Sequence, residues 1–258
     1  ATARSHLTHL PRKSMRKLMN SDVIGKISSV QTLGFLDGPG LRYVVFLQGC
    51  PLKCAYCHNI ETRSKSGGTE ILASELVADA LRYREYFGKL GGITLSGGEP
   101  LMQAEFVKEV FKKAKASGLN TCLDTSGAFL SEQVEALLDY TDFCLLDIKF
   151  TDDEKYLKYT GLSYRAALDF LETLEKKNVY TRIRQVIVEG LNDDEASVLR
   201  LIELKKTHSC VKEVELLPMS KLCESKYRDL GLTFPLEDYP ETSLKTIDKL
   251  NGVLNGKN

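Results

Sequence analysis

Several features that would assign this chain to a common class of proteins are missing from its sequence. Its 35 lysines and arginines are balanced by 35 aspartates and glutamates, so the formal net charge is zero. Without a net field, nothing in the composition attracts the chain to nucleic acid or to an anionic membrane. No apolar run approaches the roughly 18 residues of a transmembrane helix. We therefore expect neither a nucleic-acid partner nor a membrane partner.

A disulfide framework and an obvious domain boundary are also missing. The chain has seven cysteines, three of which are clustered, and this arrangement is atypical of secreted, disulfide-bonded domains. No linker and no low-complexity segment interrupts the chain, and its hydrophobic fraction of 43% is ample for a core. We expect a cytoplasmic location, where thiols stay reduced, and a single domain over residues 22–258.

Residues 1–21 differ in composition from the rest of the chain. They contain five lysines and arginines and no acidic residue. We interpret them as a basic tail without a chemical role, either an expression tail or an extension upstream of a natural start at Met19. The alternative is an organellar transit peptide, for which this composition is also typical.

Short apolar strands alternate with amphipathic helices along the rest of the chain. The pattern predicts strands at residues 23–30, 41–47, 92–95, 121–123, 143–148, 180–188 and 214–217, and helices at 74–87, 104–117, 131–138, 164–177, 193–206 and 243–254. Strands separated by helices of about a dozen residues indicate parallel βαβ units. Six such strands follow the first one. We therefore predict an α/β fold with a partial, open (β/α)6 barrel.

Three cysteines follow the predicted strand at residues 41–47. Cys50, Cys54 and Cys57 have the spacing C-x3-C-x2-C on the loop at its carboxyl end, where enzymes with parallel sheets keep their chemistry. A four-iron cluster held by three thiolates has one iron without a protein ligand. Two alternatives remain, namely ordinary buried thiols and a Cys3His zinc site completed by His58. No CxxC insert follows, so we expect one cluster only.

Polar residues also follow other predicted strands. The motif at residues 96–99, Ser-Gly-Gly-Glu, suits close approach of a ligand to the backbone, although a tight turn is the alternative. Asp124 ends the next strand, and Asp147 and Lys149 end the one after it. Because side chains alternate along a strand, Asp147 and Lys149 share one face. They either bind a ligand or form an internal ion pair.

These motifs occur together, and in this order, in one known family. The cysteine spacing, with Tyr56 before the last cysteine, resembles the signature of the radical S-adenosylmethionine (SAM) superfamily. Within it, residues 37–42, 57–59, 96–99, 121–127 and 146–149 resemble the activating enzymes of glycyl radical enzymes, and most of all those of pyruvate formate-lyase. The resemblance runs from about Val23 to the C-terminus and implies a partial barrel of the radical SAM type.

The resemblance implies a reaction and its partners. A [4Fe–4S] cluster on the three cysteines would support reductive cleavage of SAM, followed by removal of a hydrogen atom from a backbone glycine. That glycine would lie in the C-terminal glycyl loop of a glycyl radical enzyme, pyruvate formate-lyase first of all. We further expect flavodoxin or ferredoxin as electron donor, and a monomer. The alternatives are activation of a different glycyl radical enzyme, a radical SAM reaction on another substrate, and a zinc-binding interaction module.

The resemblance also implies roles for particular residues. Asp37 is expected to meet the glycyl loop, and Lys149 to contact the SAM carboxylate. The expected cofactor contacts are Tyr56, Gly97, Gly98, Glu99, Asp124, Lys149, Arg184, Val186 and Ser220. A sodium or potassium ion is a further expectation, with ligands from Asp124, Thr125, Leu145 and Asp147.

One position departs from the family. Ser220 stands in Leu-Pro-Met-Ser, where the family commonly has a histidine. We expect this change to alter recognition of the target protein rather than the cleavage of SAM. The remaining cysteines, at positions 122, 144, 210 and 223, are expected to be core or incidental thiols.

Overall fold

A computed structural model describes residues 22–256 of the chain. The basic tail of residues 1–21, with its interpretations as extension or transit peptide, lies outside the described residues. The described strands are β1 (Ile24–Gly34), β2 (Arg42–Leu47), β3 (Thr69–Leu72), β4 (Gly92–Gly97), β5 (Asn120–Thr125), β6 (Phe143–Asp147), β7 (Tyr180–Ile187) and β8 (Val211–Pro218).

The strands form one open sheet in the order β3-β1-β2-β4-β5-β6-β7-β8. The six strands β2 and β4 to β8 pair in parallel. The strand β1 is antiparallel to β2, and the short β3 extends the sheet as an antiparallel edge strand. The predicted partial (β/α)6 barrel of the radical SAM type is therefore confirmed.

Helices cover the outer face of the sheet. They are α1 (Ala73–Leu81), α2 (Arg84–Phe87), α3 (Ala104–Ala116), α4 (Glu132–Leu138), α5 (Asp153–Thr160), α6 (Tyr164–Lys177), α7 (Glu195–Thr207), α8 (Glu224–Asp229) and α9 (Leu244–Leu254). Phe106, Val110 and Phe111 of α3 are buried, as expected for the apolar face of an amphipathic helix. Among the described helices, none is long and apolar enough to cross a membrane.

Three elements were not predicted. The helices α5 and α8 have eight and six residues and carry few apolar positions, so their periodicity is weak. The strand β3 has only four residues, none of them fully buried, and lies just after an exposed loop. Sequence periodicity detects long amphipathic segments and misses short ones such as these.

The sheet separates an apolar outer layer from a polar interior. Along β4, Ile93 and Leu95 pack in the main hydrophobic core together with the outer helices, whereas Ser96 lines a cavity on the inner side. Val44 and Leu145 are buried as well. The cavity therefore lies within the barrel, toward the carboxyl ends of its strands.

Candidate active site

A cavity of about 420 Å³ opens at the carboxyl ends of the parallel strands. Nearly all the residues that the sequence predicts for the site contribute to its lining. These are Asp37, Cys50, Cys54, Tyr56, Cys57, Gly97, Gly98, Glu99, Asp124, Thr125, Asp147, Lys149, Arg184 and Val186. The strands thus bring together residues that lie up to 149 positions apart in the sequence, since 186 − 37 = 149.

The cysteine loop is held in place mainly by backbone hydrogen bonds. The N–H of Cys50 donates to the carbonyl of Arg63 at 3.1 Å, and the N–H of Lys53 donates to the carbonyl of Thr160 at 2.7 Å. From α8, the Tyr227 hydroxyl donates to the carbonyl of Cys57 at 3.2 Å. The loop is therefore fixed by segments that are distant in sequence, and the three cysteines keep a defined arrangement.

The environment of the thiols suits an iron–sulfur cluster. Burial raises the pKa of Cys50 to about 12 and that of Cys54 to about 11, so both stay protonated until a metal displaces the proton. Leu52 and Ala128 form a small apolar cluster with them. Because each cysteine of a cluster binds a different iron, the sulfurs need not converge on one point. The chemistry of this donor set fits the cluster.

The zinc alternative fits the geometry less well. In the part of the chain that the structure describes, no three His, Cys, Asp or Glu side chains converge closely enough to hold one metal ion. The Nε2 atom of His58 instead lies 2.9 Å from the carbonyl oxygen of Ser220. His58 is therefore engaged outside the cysteine triad, which leaves a zinc site short of its fourth ligand.

The two glycines of the motif at 96–99 allow two backbone segments to approach each other. A Cβ atom on Gly97 would overlap the backbone of Phe46 and Leu47, and one on Gly98 would overlap the carbonyl of Gly49. The N–H of Gly98 donates to Leu47 O at 2.9 Å, and that of Glu99 donates to Gly49 O at 2.8 Å. These glycines therefore bring the motif against the base of the cysteine loop, beside the cavity.

The Glu99 carboxylate is buried and fully hydrogen-bonded. It accepts from the hydroxyls of Thr125 and Ser126, each at 2.5 Å, and from the N–H groups of Leu101 and Ser126 at 3.1 and 3.0 Å. Burial raises the pKa of Glu99, while these donors oppose the rise. Its side chain thus ties the end of β5 to the end of β4.

Two carboxylates and two cations form a network on β5, β6 and β7 and the residues that follow β6. Arg184 bridges Asp124 and Asp147, with Nη2 and Nε at 2.5 and 2.9 Å from the respective carboxylates. Lys149 Nζ lies 2.7 Å from the second oxygen of Asp147. The Ser96 hydroxyl donates to Asp124 at 2.6 Å. In the protein alone, Asp147 and Lys149 therefore form the ion pair that was the alternative interpretation.

The pKa values in the network follow from these contacts. Burial alone would raise the pKa of Asp147, but Arg184 and Lys149 outweigh it and hold that pKa below its usual value. For Asp124, burial prevails over the attraction of Arg184, and the pKa is raised. Burial would lower the pKa of Lys149, yet Asp147 raises it. Lys149 therefore remains charged at neutral pH.

The remaining predicted positions differ in their surroundings. Tyr56 is buried, and its hydroxyl donates to the carbonyl of Lys149 at 3.2 Å. Asp37 faces the same cavity from the loop after β1, and burial, with the charge of Asp124, raises its pKa. Leu145 is not a lining residue, but it is paired in register with Asp124.

Ser220 does not belong to the cavity lining. The strand β8 ends at Pro218, and the N–H of Met219 donates to the carbonyl of Ile187. Beyond this bond, Ser220 meets the ring of His58 through its carbonyl oxygen. The contact of Ser220 with the cofactor stays a prediction.

Sequence reasoning missed several lining residues. Asn59, Ser96 and Ser126 belong to the family motifs at residues 57–59, 96–99 and 121–127, so the motifs already carry a signal for them. Phe46 and Leu52 line the cavity as well. They lie beside the cysteine motif, but apolar residues there give no separate signal.

Comparison with known proteins agrees with this geometry. Residues 44–202 match the family model of the radical SAM superfamily. Over 233 residues the chain is 43% identical to the pyruvate formate-lyase-activating enzyme of Clostridium pasteurianum, covering 90% of this chain and 98% of that protein. Over 235 residues it is 37% identical to the pyruvate formate-lyase 1-activating enzyme of Escherichia coli K12, covering 90% and 96%.

Solved structures share the fold at low sequence identity. A domain of a pyruvate-formate lyase-activating enzyme from Bacteroides vulgatus matches with a TM-score of 0.54 and 20% identity, over 65% of this chain and 94% of that one. A radical SAM methyltransferase from Sphaerobacter thermophilus matches with a TM-score of 0.62 and 15% identity, over 97% and 80%. The family implies a [4Fe–4S] cluster and SAM. This chain belongs to the radical SAM superfamily and, within it, to the family of pyruvate formate-lyase-activating enzymes.

Proposed function

We propose that this protein reductively cleaves SAM and removes a hydrogen atom from a backbone glycine of pyruvate formate-lyase. The observation that supports this most is the convergence of three thiols and a charged network on one cavity of about 420 Å³. When bound, the reduced cluster supplies the electron that breaks the S–C5′ bond of SAM, giving methionine and the carbon radical that takes the hydrogen atom.

Cys50, Cys54 and Cys57 would hold the cluster as its three thiolate ligands. Their loop is anchored by backbone hydrogen bonds to Thr160 and Arg63, so the ligands are preorganised before the metal arrives. The apolar cluster of Leu52 and Ala128 beside the cysteines excludes water from that wall. The fourth iron would then be open to SAM.

Lys149 and Arg184 would bind the charged end of SAM. Both are cations whose present partners are side-chain carboxylates, and such pairs can rearrange when a ligand carboxylate arrives. Asp124, at the end of β5, stands as an acceptor beside the position expected for the SAM amino group, and the backbone of Gly97, Gly98 and Glu99 lies beside it at the end of β4. Tyr56 and Val186 provide the less polar part of the lining, which suits adenine.

A sodium or potassium ion is a further part of this proposal. Asp124 is paired in register with Leu145, and Asp147 with Arg184, so carboxylates from adjacent strands lie close together. Arg184 already bridges the two carboxylates, and an ion shared by them would have to displace the guanidinium. Equal rates of SAM cleavage in potassium, sodium and tetramethylammonium buffers would exclude the ion.

Asp37 would meet the incoming glycyl loop of the partner. It lies on the loop after β1, and its carbonyl accepts a hydrogen bond from the Thr94 hydroxyl at 2.7 Å, which fixes the loop against β4. We further propose that flavodoxin or ferredoxin delivers the electron and that residues 22–258 act as one domain, as a monomer in the cytoplasm. The seven cysteines are all free thiols, which is consistent with a reducing location.

The cluster assignment has a direct test. Anaerobic reconstitution should give about four irons per chain, as one [4Fe–4S] cluster requires. Replacing any of Cys50, Cys54 or Cys57 by Ala should abolish release of 5′-deoxyadenosine. The buried thiols Cys122 and Cys223 provide controls, and their replacement by Ser should preserve the cleavage. Bound zinc in place of iron would contradict the proposal.

A further inference from the structure

Arg63 lies beside the cysteine loop but plays no part in the chemistry described so far. It follows the short 3-10 helix Ile60–Thr62, and its carbonyl accepts the N–H of Cys50. Its Nη2 atom donates to the carbonyl of Cys54 at 3.4 Å. The side chain is thus held against the loop of the three cysteines, yet it is not among the residues that line the cavity.

The guanidinium of Arg63 has no negatively charged partner. Among residues 22–256, no salt bridge includes it, and its Nε atom is shielded from solvent without a hydrogen bond. The nearby carboxylate of Glu61 is paired instead with Lys226, at 2.6 Å. The charge of Arg63 is therefore not already neutralised by a carboxylate among the described residues, and it can act on negative charge that arises beside it.

Arg63 contacts two of the three cysteines. Its Nη2 atom donates to the carbonyl of Cys54 at 3.4 Å, and its own carbonyl accepts the N–H of Cys50 at 3.1 Å. A cluster held by Cys50, Cys54 and Cys57 would therefore have this positive charge beside its protein ligands.

We propose that Arg63 is a positioning residue that raises the reduction potential of the cluster by neutralising part of its charge. Three thiolates carry more negative charge than the iron–sulfide core compensates, and an added electron increases the excess. A fixed positive charge beside Cys54 stabilises the reduced form more than the oxidised form. Arg63 thereby lets a one-electron donor of given strength reduce a larger fraction of the protein.

This inference rests on the proposed cluster, and its test separates the two. The reconstituted wild-type protein and the variants Arg63→Gln and Arg63→Lys are titrated anaerobically and followed by EPR. For Arg63→Gln we expect the ratio of reduced to oxidised cluster at a fixed potential to fall about tenfold, which is about 59 mV for a one-electron couple. Arg63→Lys, which keeps the charge, should stay near the wild type.

Arg182→Gln is the matched control. Its Nε atom is likewise shielded without a partner, but the side chain pairs with Glu213 and Glu215 at the opposite end of the barrel. Removal of the Arg182 charge should leave the reduction potential of the cluster unchanged. The affinity for SAM should be unaffected in all three variants, because neither arginine lines the cavity.

Each outcome decides the inference. An intact cluster with wild-type potential in Arg63→Gln would overturn it. If Arg63→Gln loses iron, retention of iron by Arg63→Lys would support a role for the charge, whereas equal loss from both would assign Arg63 to the folding of the loop. A wild-type protein that binds no iron would instead contradict the proposed function itself.

Discussion

Two arginines, at opposite ends of the barrel strands, show how structure and chemistry are divided in this protein. Arg42, at the start of β2, is fully buried and donates to Thr94, Pro39, Leu90, Ile93 and Asn120, all neutral acceptors. Arg184, near the end of β7, bridges the carboxylates of Asp124 and Asp147 and lines the cavity. Both residues carry a guanidinium group, but Arg42 bonds neutral acceptors and Arg184 pairs with carboxylates.

The difference lies in whether the partners can be exchanged. Most acceptors of Arg42 are backbone carbonyls fixed by the fold, including that of Pro39 on the loop carrying Asp37. The partners of Arg184 are charged side chains that line the cavity, where a ligand carboxylate could replace them. We therefore expect Arg42 to stabilise the fold and Arg184 to serve ligand binding, and four predictions test that division.

The largest effect is expected for Arg42→Met. Its loss leaves several buried carbonyls without donors, at about 1–3 kcal/mol for each unsatisfied group. We expect the free energy of unfolding to fall by about 4 kcal/mol, measured by urea denaturation under anaerobic conditions. Arg182→Met, whose partners are partly exposed, is the control and should change stability by less than about 1 kcal/mol. Equal losses in the two variants would refute the structural role of Arg42.

Arg184→Met should lower the free energy of unfolding by about 3 kcal/mol at neutral pH, because it leaves two largely buried carboxylates without their shared cation. The depressed pKa of Asp147 contributes stability that is present above its unfolded pKa and is lost as the pH falls through its folded pKa. In Arg184→Met both carboxylates protonate more readily. The difference in free energy of unfolding between the wild type and this variant should therefore shrink on acidification from pH 7 to pH 5. The loss of unfolding free energy in Arg42→Met should not depend on pH, since the acceptors of Arg42 do not titrate. A loss independent of pH in both variants would contradict the distinction between the two arginines.

Lys149→Ala tests the exchange of partners directly. If Lys149 leaves Asp147 for the carboxylate of SAM, its loss should weaken SAM binding by about 2 kcal/mol, as expected for a hydrogen bond to a charged group. Titration calorimetry with the reconstituted protein measures this affinity. An unchanged affinity would assign Lys149 to the ion pair with Asp147 alone.

Asp37→Asn addresses the loop that Arg42 fixes. We expect SAM cleavage under dithionite to continue, while glycyl radical formation on the partner falls about tenfold or more, because small misplacement of a target costs large factors in rate. Release of 5′-deoxyadenosine and the EPR signal of the glycyl radical are measured in parallel. Equal loss of both would place Asp37 in the binding of SAM instead.

The comparison of the two arginines also shows which structural features can be predicted from the sequence. The six parallel strands, the cysteine loop and the polar residues at the strand ends were predictable, since alternation along strands places Asp147 and Lys149 on one face. The bridging position of Arg184 was not, because it depends on the register between β6 and β7. The position of Arg63 also escaped prediction, since its contact with Cys54 depends on the folding of the loop and not on any motif.

The deviations have equally local causes. The family motif predicts Ser220 as a cofactor contact, but β8 ends at Pro218 and Ser220 is not among the residues that line the cavity. The short helix α8 was missed, although its Lys226 and Tyr227 tie down the cysteine loop. Short segments take their structure from tertiary contacts, which periodicity does not report.

Transfer of the radical is the most direct test of the proposed function. Reconstituted protein is incubated anaerobically with SAM, dithionite and pyruvate formate-lyase, and the mixture is examined by EPR, with Cys54→Ala as the control. We expect the doublet of a glycyl radical on pyruvate formate-lyase, absent with the control and absent without SAM. Cleavage of SAM by the wild-type protein with no glycyl radical on pyruvate formate-lyase would contradict the proposed activity.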